Sequence, residues 1–305
     1  MSAPPLLVLV GPTAVGKTAT AIALASRFQA EVVNADSVQV YRGLDIGSVK
    51  PTLEERALAP HHLVDVTDPE QEMSAARFAQ LADQAIADIQ RRGRRVLVAG
   101  GTGLYIRALL FGLAPAPPVD AELRLRLNRE WEEQGALALH IRLAGLDPMS
   151  ARRLPANDRQ RILRALEVCL QTGEPFSRRQ QEHGFRQPRH AHIVLGLERP
   201  RVELNSRIEA RCRQMWEGEL LEEVRGLLAA GVSPQTRSLQ SLGYQQALRV
   251  IQGLQAPSEA LQEMIQKTRA YAKRQMTWFR GLKGIKWCPA ENLAGLTALA
   301  RSFWL

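Results

Sequence analysis

The chain has 305 residues, enough for two domains or for one large domain with an insertion. Hydrophobic residues make up 45% of it, no run approaches the roughly 20 apolar residues of a membrane span, and no basic segment precedes an apolar core as in a secretory signal. The net charge is +9 and the three cysteines fit no metal-binding or redox spacing, so we expect a cytoplasmic protein without a membrane partner.

The first predicted element is a phosphate-binding loop. An apolar run, Leu6–Val10, predicts a buried strand, residues 11–18 match the pattern G-x-x-x-x-G-K-T, and residues 19–28 predict a helix. In this setting backbone N–H groups point at anionic oxygens, Lys17 reaches the outer phosphate, and the Thr18 hydroxyl is placed to ligate Mg²⁺. The predicted phosphate-binding residues are Gly11, Thr13, Ala14, Val15, Gly16, Lys17 and Thr18. The loop predicts a diphosphate or triphosphate without identifying the molecule that carries it.

A second strand is predicted over residues 31–36, and it ends on the carboxylate of Asp36. Near a phosphate loop such a carboxylate can hold Mg²⁺ through water or act as a general base. The alternative is a turn cap for Ser37 and Val38. Residues 61–66 predict a possible third strand, whose two histidines we interpret as structural because neighbouring side chains on a strand point opposite ways.

A Gly-Gly-Thr-Gly turn at residues 100–103 follows the next strand. A helix over residues 74–90, capped by Ser74, precedes that strand, which is predicted over residues 94–99. Strands that alternate with helices predict a parallel sheet with ligand sites at the carboxyl ends of its strands. Thr102 then either faces an anion beside the phosphate loop or caps the following helix. The strand runs into glycine instead of an acidic residue, which argues against an ATP-driven motor.

The alternation of strands and helices stops at residues 115–118, a proline-rich stretch. Residues 119–188 predict helices alone, and strand-like sequence resumes at residues 192–196. We therefore predict an α/β fold in which a parallel-sheet core with a phosphate loop (P-loop) is flanked by helices and carries an all-helical insertion domain. The core is expected to comprise residues 1–118 and 189–305, with helical sequence at residues 201–230 and 257–279 and a last strand near residues 285–288.

Basic residues are concentrated in the second part of the chain. Residues 1–118 carry 11 basic and 11 acidic side chains, whereas residues 119–305 carry 29 and 20. The stretch 273–280 mixes Lys, Arg and amide groups with aromatic rings, a composition that suits single-stranded RNA. The alternative for this stretch is a solvated helix face with Trp278 in the core. The alternative for the basic surplus, with 34 Arg against 6 Lys, is genomic base composition. Arg211 and Arg213 offer one more contact to a diphosphate.

Together these motifs resemble the bacterial tRNA dimethylallyltransferase (tRNA isopentenyltransferase) family. The resemblance extends over essentially the whole chain. It rests on Gly-Pro-Thr-Ala-x-Gly-Lys-Thr at 11–18, Asn-Ala-Asp-Ser-x-Gln at 34–39, Tyr-Arg-Gly-Leu-Asp-Ile-Gly-Ser-x-Lys-Pro at 41–51, Gly-Gly-Thr-Gly-Leu-Tyr at 100–105, Asn-Asp-x-Gln-Arg at 157–161, Arg211 with Met215, Leu-Gly-Tyr at 242–244 and Lys-Arg-Gln-x-Thr-Trp-Phe-Arg at 273–280.

The resemblance implies an enzyme that transfers a dimethylallyl group from dimethylallyl diphosphate to N6 of the adenine just 3′ of the anticodon and releases diphosphate, assisted by Mg²⁺. It implies that the phosphate loop and Arg211 hold the diphosphate, that Asp36 is the base, and that the Thr102 hydroxyl lies near the bridging oxygen. The residues it implies for tRNA contact are Asp36, Ser37, Val38, Gln39, Thr102, Arg124, Gln160, Arg161, Ile162, Leu163, Arg164, Gln240, Gly243, Tyr244, Gln245, Lys273, Arg274, Gln275, Thr277, Trp278 and Arg280.

The expected partners are thus dimethylallyl diphosphate and a tRNA anticodon stem-loop, which the helical insertion is expected to grip, and we expect a monomer. Two other functions are compatible with parts of the sequence. A small-molecule kinase that uses ATP would need the phosphate loop and Asp36 but would leave the basic second part unused. A non-catalytic RNA-binding switch protein would use the basic part and would not need Asp36.

Overall fold

The computed structural model describes residues 4–304. The chain forms two compact units, one made of the residues up to Leu110 and from Arg189 onward, the other of Phe111–Pro188. The sequence predicted the first boundary at 118/119 and the second at 188/189. The first three residues and Leu305, which that prediction assigned to the core, lie outside the described residues.

Six strands form one sheet within the described part of the chain, and every pairing is parallel. The strands are β1 (Leu6–Val10), β2 (Ala30–Asn34), β3 (His61–His62), β4 (Arg95–Gly100), β5 (His192–Glu198) and β6 (Ile285–Pro289). Their spatial order is β3-β2-β4-β1-β5-β6. This sheet, flanked by helices, confirms the predicted α/β class.

Thirteen helices accompany the sheet within residues 4–304. They are α1 (Lys17–Phe28), α2 (Leu53–Leu58), α3 (Ala75–Arg91), α4 (Gly103–Phe111), α5 (Ala121–Leu146), α6 (Pro148–Arg153), α7 (Arg159–Thr172), α8 (Phe176–His183), α9 (Arg201–Glu217), α10 (Leu220–Ala229), α11 (Tyr244–Ile251), α12 (Pro257–Arg280) and α13 (Leu293–Trp304). None of these helices combines the length and apolar character that crossing a membrane requires.

The register of the central strands aligns their carboxyl ends. All five residues of β1 are buried, as expected for an inner strand of a parallel sheet that is covered on both faces. Val10 at its end pairs with Gly100 of β4 and with Gly196 of β5. The phosphate loop, the turn after β2 and the Gly-Gly-Thr-Gly turn after β4 therefore meet at one edge of the sheet, as predicted.

Several element boundaries differ from the predicted ones. The third strand ends at His62 because Leu63 and Asp65 have φ values of +62° and +58°, which are incompatible with a strand. The predicted helix over residues 201–230 is divided into α9 and α10 at Gly218. Helices α2, α6, α8, α11 and α13 were not predicted, and all but α13 have eight residues or fewer, too short for a strong apolar period.

The helical unit has its own apolar core. It includes Leu123, Leu127, Leu139, Leu143, Ile162, Leu163 and Leu166, with Trp131 and Phe176 packed against it. Gly135 interrupts α5 with a φ of +81°, so α5 consists of two helical segments that meet at this residue. The kink folds the apolar positions of both segments onto α7, as the shared core cluster shows.

Candidate active site

The phosphate loop, residues 11–18, joins the carboxyl end of β1 to the first turn of α1. Gly11 has a φ of +155° and Gly16 a φ of +111°, and a Cβ atom on Gly11 would lie 2.9 Å from the carbonyl oxygen of Leu197. Both positions therefore strongly favour glycine. Because α1 begins at Lys17, the N–H groups of its first turn lack helical partners and are available to an anion.

Lys17 bends back over the loop. Its Nζ atom donates hydrogen bonds to the carbonyl oxygens of Gly11, at 3.1 Å, and of Pro12, at 2.9 Å. Burial lowers the pKa of Lys17 to about 8, the nearby Asp36 carboxylate raises it, and the Arg211 guanidinium lowers it. An ammonium that loses solvation in this way gains strongly from a bound anion.

The depressed pKa of Lys17 predicts a pH dependence of anion binding. The charged lysine binds the anion, so the affinity for an alkyl diphosphate should fall by up to about tenfold per pH unit above about pH 8. Isothermal titration calorimetry between pH 7 and pH 9.5 measures this effect. Lys17→Met serves as the control and should remove the dependence. An affinity that stays constant to pH 9.5 would contradict a lysine contact with the ligand.

The same pKa sets the sign of a stability effect. Between about pH 8 and pH 10.5 the unfolded chain holds the Lys17 proton and the folded, ligand-free chain does not. The contribution of this group to the free energy of unfolding therefore increases as the pH rises through that window. Below about pH 8 both states are protonated, and the contribution no longer changes.

Three arginines surround the outside of the phosphate loop. The Nε atom of Arg199 donates to the Val15 carbonyl at 2.8 Å, that of Arg207 donates to the Ala14 carbonyl at 2.9 Å, and an Nη atom of Arg211 donates to the Thr13 hydroxyl. The first two arginines thereby occupy the carbonyl oxygens of Val15 and Ala14. Burial lowers the pKa of the Arg211 guanidinium.

Sequence reasoning identified Arg211 and missed the other two arginines of this group. Arg207 lies four residues before Arg211 on α9, so both side chains project from one face of the helix, a signal present in the sequence. Arg199 follows β5, the neighbour of β1 in the sheet. Its placement depends on strand order, which the sequence pattern did not specify.

Asp36 lies in the turn that follows β2. Its Oδ1 atom accepts hydrogen bonds from the backbone N–H groups of Val38, at 2.8 Å, and Gln39, at 3.3 Å. The turn cap considered as an alternative is therefore present, but it uses one carboxylate oxygen. Among residues 4–304 no hydrogen bond to Oδ2 is formed, which leaves this oxygen available to a ligand.

Thr102 is joined to the turn that carries Asp36. Its Oγ1 atom accepts a hydrogen bond from the backbone N–H of Ser37 at 3.1 Å, and its backbone N–H donates to Ala35 at 3.3 Å. The carbonyl of Thr102 accepts from the N–H groups of Tyr105 and Ile106, so Thr102 occupies the N-cap position of α4 that was the alternative, while its hydroxyl oxygen accepts from Ser37. A Cβ atom on Gly100 would lie 2.1 Å from the Ala35 carbonyl, and this close approach brings the two turns together.

Two cavities meet at Asp36. The larger, about 470 Å³, is lined by the phosphate loop, including Lys17 and Thr18. The smaller, about 210 Å³, has a more apolar lining that includes Met215 and Leu242. The residues that line both are Thr13, Asp36, Ser48 and Arg211. A ligand held on the loop and a second ligand in the smaller cavity would therefore both reach Asp36.

The predicted diphosphate residues come together around the larger cavity. The residues that line it are Thr13, Ala14, Gly16, Lys17, Thr18 and Arg211. Gly11 and Val15 are buried and do not line this cavity, so their contact with the diphosphate stays a prediction. Thr102 lines neither cavity among the described residues and is linked to the site through Ser37.

Oxygen donors suited to a magnesium ion face the larger cavity. The Thr18 hydroxyl and the Asp36 carboxylate both line it. Within residues 4–304 no cluster of three or more His, Cys, Asp or Glu side chains has metal-binding geometry. Mg²⁺ commonly takes one or two protein oxygens and completes its shell with phosphate oxygens and water, so this donor set fits that ion when a diphosphate is bound.

Glu223 of α10 holds the loop of residues 45–47, whose Gly47 lines the smaller cavity. Its carboxylate accepts hydrogen bonds from the backbone N–H groups of Asp45 (2.9 Å), Ile46 (2.7 Å) and Gly47 (3.3 Å). The Tyr244 hydroxyl donates to the same carboxylate at 2.6 Å. Because the Tyr244 ring would lie 2.5 Å from a Cβ atom at position 47, only glycine fits there. The burial that accompanies this contact raises the pKa of Tyr244.

Among the residues predicted for RNA, those of α12 divide between two faces of the helix. The side chains exposed to solvent are those of Lys273, Arg274, Thr277 and Arg280. Gln275 is buried, and Trp278 lies against Gly103 at the start of α4, with the guanidinium of Arg107 4.9 Å from the centre of its ring.

The other residues predicted for RNA lie at varied depths. Gln160, Arg161 and Gln240 are exposed, whereas Ile162, Leu163, Gly243 and Tyr244 are buried. The side chains of Ile162, Leu163 and Tyr244 are therefore not presented to RNA in this structure. Ser37, Val38, Gln39 and Gln245 are partly exposed. RNA contact stays a prediction for all of them.

Arg124 and Arg164, also predicted for RNA, share one carboxylate in the helical unit. Glu167 has no exposed surface and forms ion pairs with both guanidiniums. Arg164 also donates to the Pro117 carbonyl at 2.8 Å. Both arginine side chains keep partial exposure, at 33% and 27%, so they can be held by Glu167 and still present charge at the surface.

Comparisons with known proteins agree on one family. A family model described as IPP transferase matches residues 39–282. A tRNA dimethylallyltransferase of Anaeromyxobacter dehalogenans (strain 2CP-C) is 50% identical over 284 residues, which is 92% of this chain and 94% of that protein. One from Geobacter sulfurreducens (strain ATCC 51573 / DSM 12127 / PCA) is 44% identical over 301 residues, 98% of this chain and 96% of that protein.

Solved structures are similar over nearly the whole chain. A tRNA delta(2)-isopentenylpyrophosphate transferase from Staphylococcus epidermidis has a TM-score of 0.71 at 35% identity and covers 98% of this chain and 99% of its own. A eukaryotic dimethylallyltransferase acting on tRNA has a TM-score of 0.80 at 27% identity and covers 98% of this chain and 77% of its own.

Proposed function

The chain belongs to the IPP transferase family, and from this premise we propose that it transfers a dimethylallyl group from dimethylallyl diphosphate to N6 of the adenine just 3′ of the anticodon in certain tRNAs. Diphosphate is the second product. The observation that carries the proposal is that Asp36 lines both the cavity of the phosphate loop and the cavity that opens beside it.

The donor's diphosphate occupies the phosphate loop in this proposal. The loop N–H groups, Lys17 and Arg211 supply positive charge around the larger cavity. Negative charge grows on the diphosphate as its bond to the allyl carbon breaks, so donors that are already in place stabilise the transition state more than the bound substrate. Mg²⁺, held by the Thr18 hydroxyl, would add charge neutralisation on the diphosphate when bound.

Asp36 acts on the acceptor in this proposal. The exocyclic amine of adenine is a weak nucleophile because its lone pair is conjugated with the ring. As the bond from N6 to the allyl carbon forms and the carbon–oxygen bond breaks, the electron pair of that bond leaves with the diphosphate. The N6 proton passes to Asp36 Oδ2, the carboxylate oxygen that the turn does not use. Thr102 holds the turn through Ser37 and is the predicted hydroxyl near the bridging oxygen.

The target adenine reaches Asp36 through the smaller cavity in this proposal. A base inside a stacked anticodon loop cannot enter a cavity of about 210 Å³, so the nucleotide must turn out of the stack. The exposed basic residues of α12 and the paired arginines of the helical unit supply charge for the RNA backbone. A monomer is sufficient for this arrangement.

Labelled dimethylallyl diphosphate tests the proposal. The protein is incubated with it, with Mg²⁺ and with an anticodon stem-loop, and the digested RNA is analysed by mass spectrometry. We expect the label on N6 of the adenine 3′ of the anticodon, and none on a matched stem-loop with guanine there. RNA that stays unlabelled while the protein consumes ATP would favour a small-molecule kinase instead. RNA that binds without acquiring label would favour a non-catalytic RNA-binding protein.

A further inference from the structure

Gln275 of α12 makes two hydrogen bonds that join the two turns of the site. Its Oε1 atom accepts from the backbone N–H of Thr13, at 2.8 Å, at the lip of the phosphate loop. Its Nε2 atom donates to the Gly101 carbonyl, at 2.9 Å, in the Gly-Gly-Thr-Gly turn. The side-chain amide therefore satisfies one backbone donor and one backbone acceptor that no regular secondary structure serves.

The space around this amide is closed. Gln275 is 6% exposed, and a Cβ atom on Gly101 would lie 2.3 Å from its Nε2 atom. One helical turn further along α12, Trp278 packs on Gly103, where a Cβ atom would lie 2.1 Å from the indole. Positions 101 and 103 of the turn thus have room only for glycine because α12 lies directly against them.

Thr13 is held from two helices at once. Gln275 of α12 takes its backbone N–H, and Arg211 of α9 donates to its hydroxyl. Thr13 is also one of the residues that line both cavities. The separation between the phosphate loop and the turn that carries Thr102 is therefore set by this amide side chain together with the pairing of Val10 with Gly100.

We propose that Gln275 is a positioning residue for allyl transfer, and not a contact to RNA. By fixing Thr13 and Gly101 relative to each other, it sets the distance between the anion-binding loop and the turn that supports Thr102 and Asp36. The expected effect of Gln275 on catalysis rests on the proposed function. Its expected effect on diphosphate binding does not depend on that function. The neighbouring side chains of Lys273, Arg274 and Thr277 face solvent. Helix α12 therefore presents charge on its exposed face, while Gln275 on its buried face holds the two turns of the site.

Gln275→Met is the first test, because methionine has a similar length and no hydrogen-bonding amide. We expect kcat to fall about 100-fold, since a misplacement of about 1 Å in a reacting pair costs that much. The Kd for inorganic diphosphate, measured at pH 7.5 without RNA, should increase several-fold. The Kd for the anticodon stem-loop should stay within a factor of about 2–3, the ordinary scatter of context effects.

Gln275→Glu separates the two hydrogen bonds. A glutamate keeps the acceptor for Thr13 but places a second oxygen against the Gly101 carbonyl, where only a protonated carboxyl can donate. The ratio of kcat/KM for this variant to that for the wild type should therefore increase as the pH falls. The matched control is Thr277→Glu, which adds the same charge on the exposed face. It should weaken RNA binding and leave the diphosphate Kd and its pH dependence unchanged.

The outcomes are distinct. Weaker diphosphate binding and lower kcat with unchanged RNA affinity, in variants whose melting temperature equals that of the wild type, would support the proposal. Normal diphosphate binding with weaker RNA binding would overturn it and assign Gln275 to the RNA surface. Variants identical to the wild type in all assays would overturn it as well. If Gln275→Met has a lower melting temperature than the wild type, the test is the pH dependence of kcat/KM for Gln275→Glu relative to the wild type: an increase as the pH falls supports the proposal, and its absence overturns it. A wild-type protein that transfers no label would refute the proposed function, while the diphosphate assay would still test Gln275.

Discussion

Replacing Asp36 with asparagine is expected to lower kcat for allyl transfer by about 10²–10⁴-fold, the usual contribution of a positioned general base. Asparagine keeps an Oδ1 acceptor for the N–H groups of Val38 and Gln39, so the turn itself should persist. What is lost is the basic oxygen that faces the cavities. Single-turnover transfer from labelled dimethylallyl diphosphate to an anticodon stem-loop measures the effect without interference from product release.

Asp36→Ala provides the control for the structural role of this carboxylate. It removes both the base and the turn cap, so it should be as inactive as Asp36→Asn. In addition, it should lower the free energy of unfolding by about 0.5–1.5 kcal/mol for each hydrogen bond lost. Stem-loop binding should persist in the asparagine variant. If that variant transferred the allyl group at the wild-type rate, Asp36 would not be the base, and its part in the site would be limited to holding the turn.

Replacing Lys17 with methionine is expected to lower kcat by about 10²–10³-fold and to weaken diphosphate binding, because it removes a charge placed where the leaving group becomes negative. The ligand-free variant should be no less stable than the wild type. Burial depresses the pKa of Lys17, so the folded chain gains by losing this charge when no anion compensates it. A loss of activity in a stable variant would separate catalysis from folding.

Lys50→Met is the matched control for this prediction. Lys50 is also buried, but its Nζ atom pairs with the carboxylates of Asp45 and Asp65 and donates to the Tyr41 carbonyl at 2.8 Å. Its removal takes away both ion pairs and leaves the Tyr41 carbonyl without this donor, so we expect a lower melting temperature with diphosphate affinity retained in the folded protein. If both variants bound diphosphate as tightly as the wild type does, an anionic ligand on the loop at Lys17 would be excluded.

Local sequence was sufficient to predict the parts of the site that are contiguous in the chain. Glycines at positions 11 and 16 with Lys17 between a buried strand and a helix define a phosphate loop through backbone geometry alone. The alternation of strands and helices predicted the parallel sheet and the edge at which the loop, Asp36 and Thr102 meet. The motifs also predicted the family, because their residues and spacings are specific in combination.

Only the tertiary structure shows which residues of these motifs hold other segments of the chain in place. The chain separates Gln275 from Thr13 by 262 positions, and only the packing of α12 against the edge of the sheet makes its amide a link between two turns. Tyr244 belongs to a motif predicted for RNA, yet its hydroxyl is committed to Glu223 beneath the loop 45–47. Arg199 holds a backbone carbonyl, a contact that requires no particular partner residue and so leaves no pattern in the sequence. Sequence patterns report local backbone geometry, whereas burial and long-range hydrogen bonds depend on which elements become neighbours.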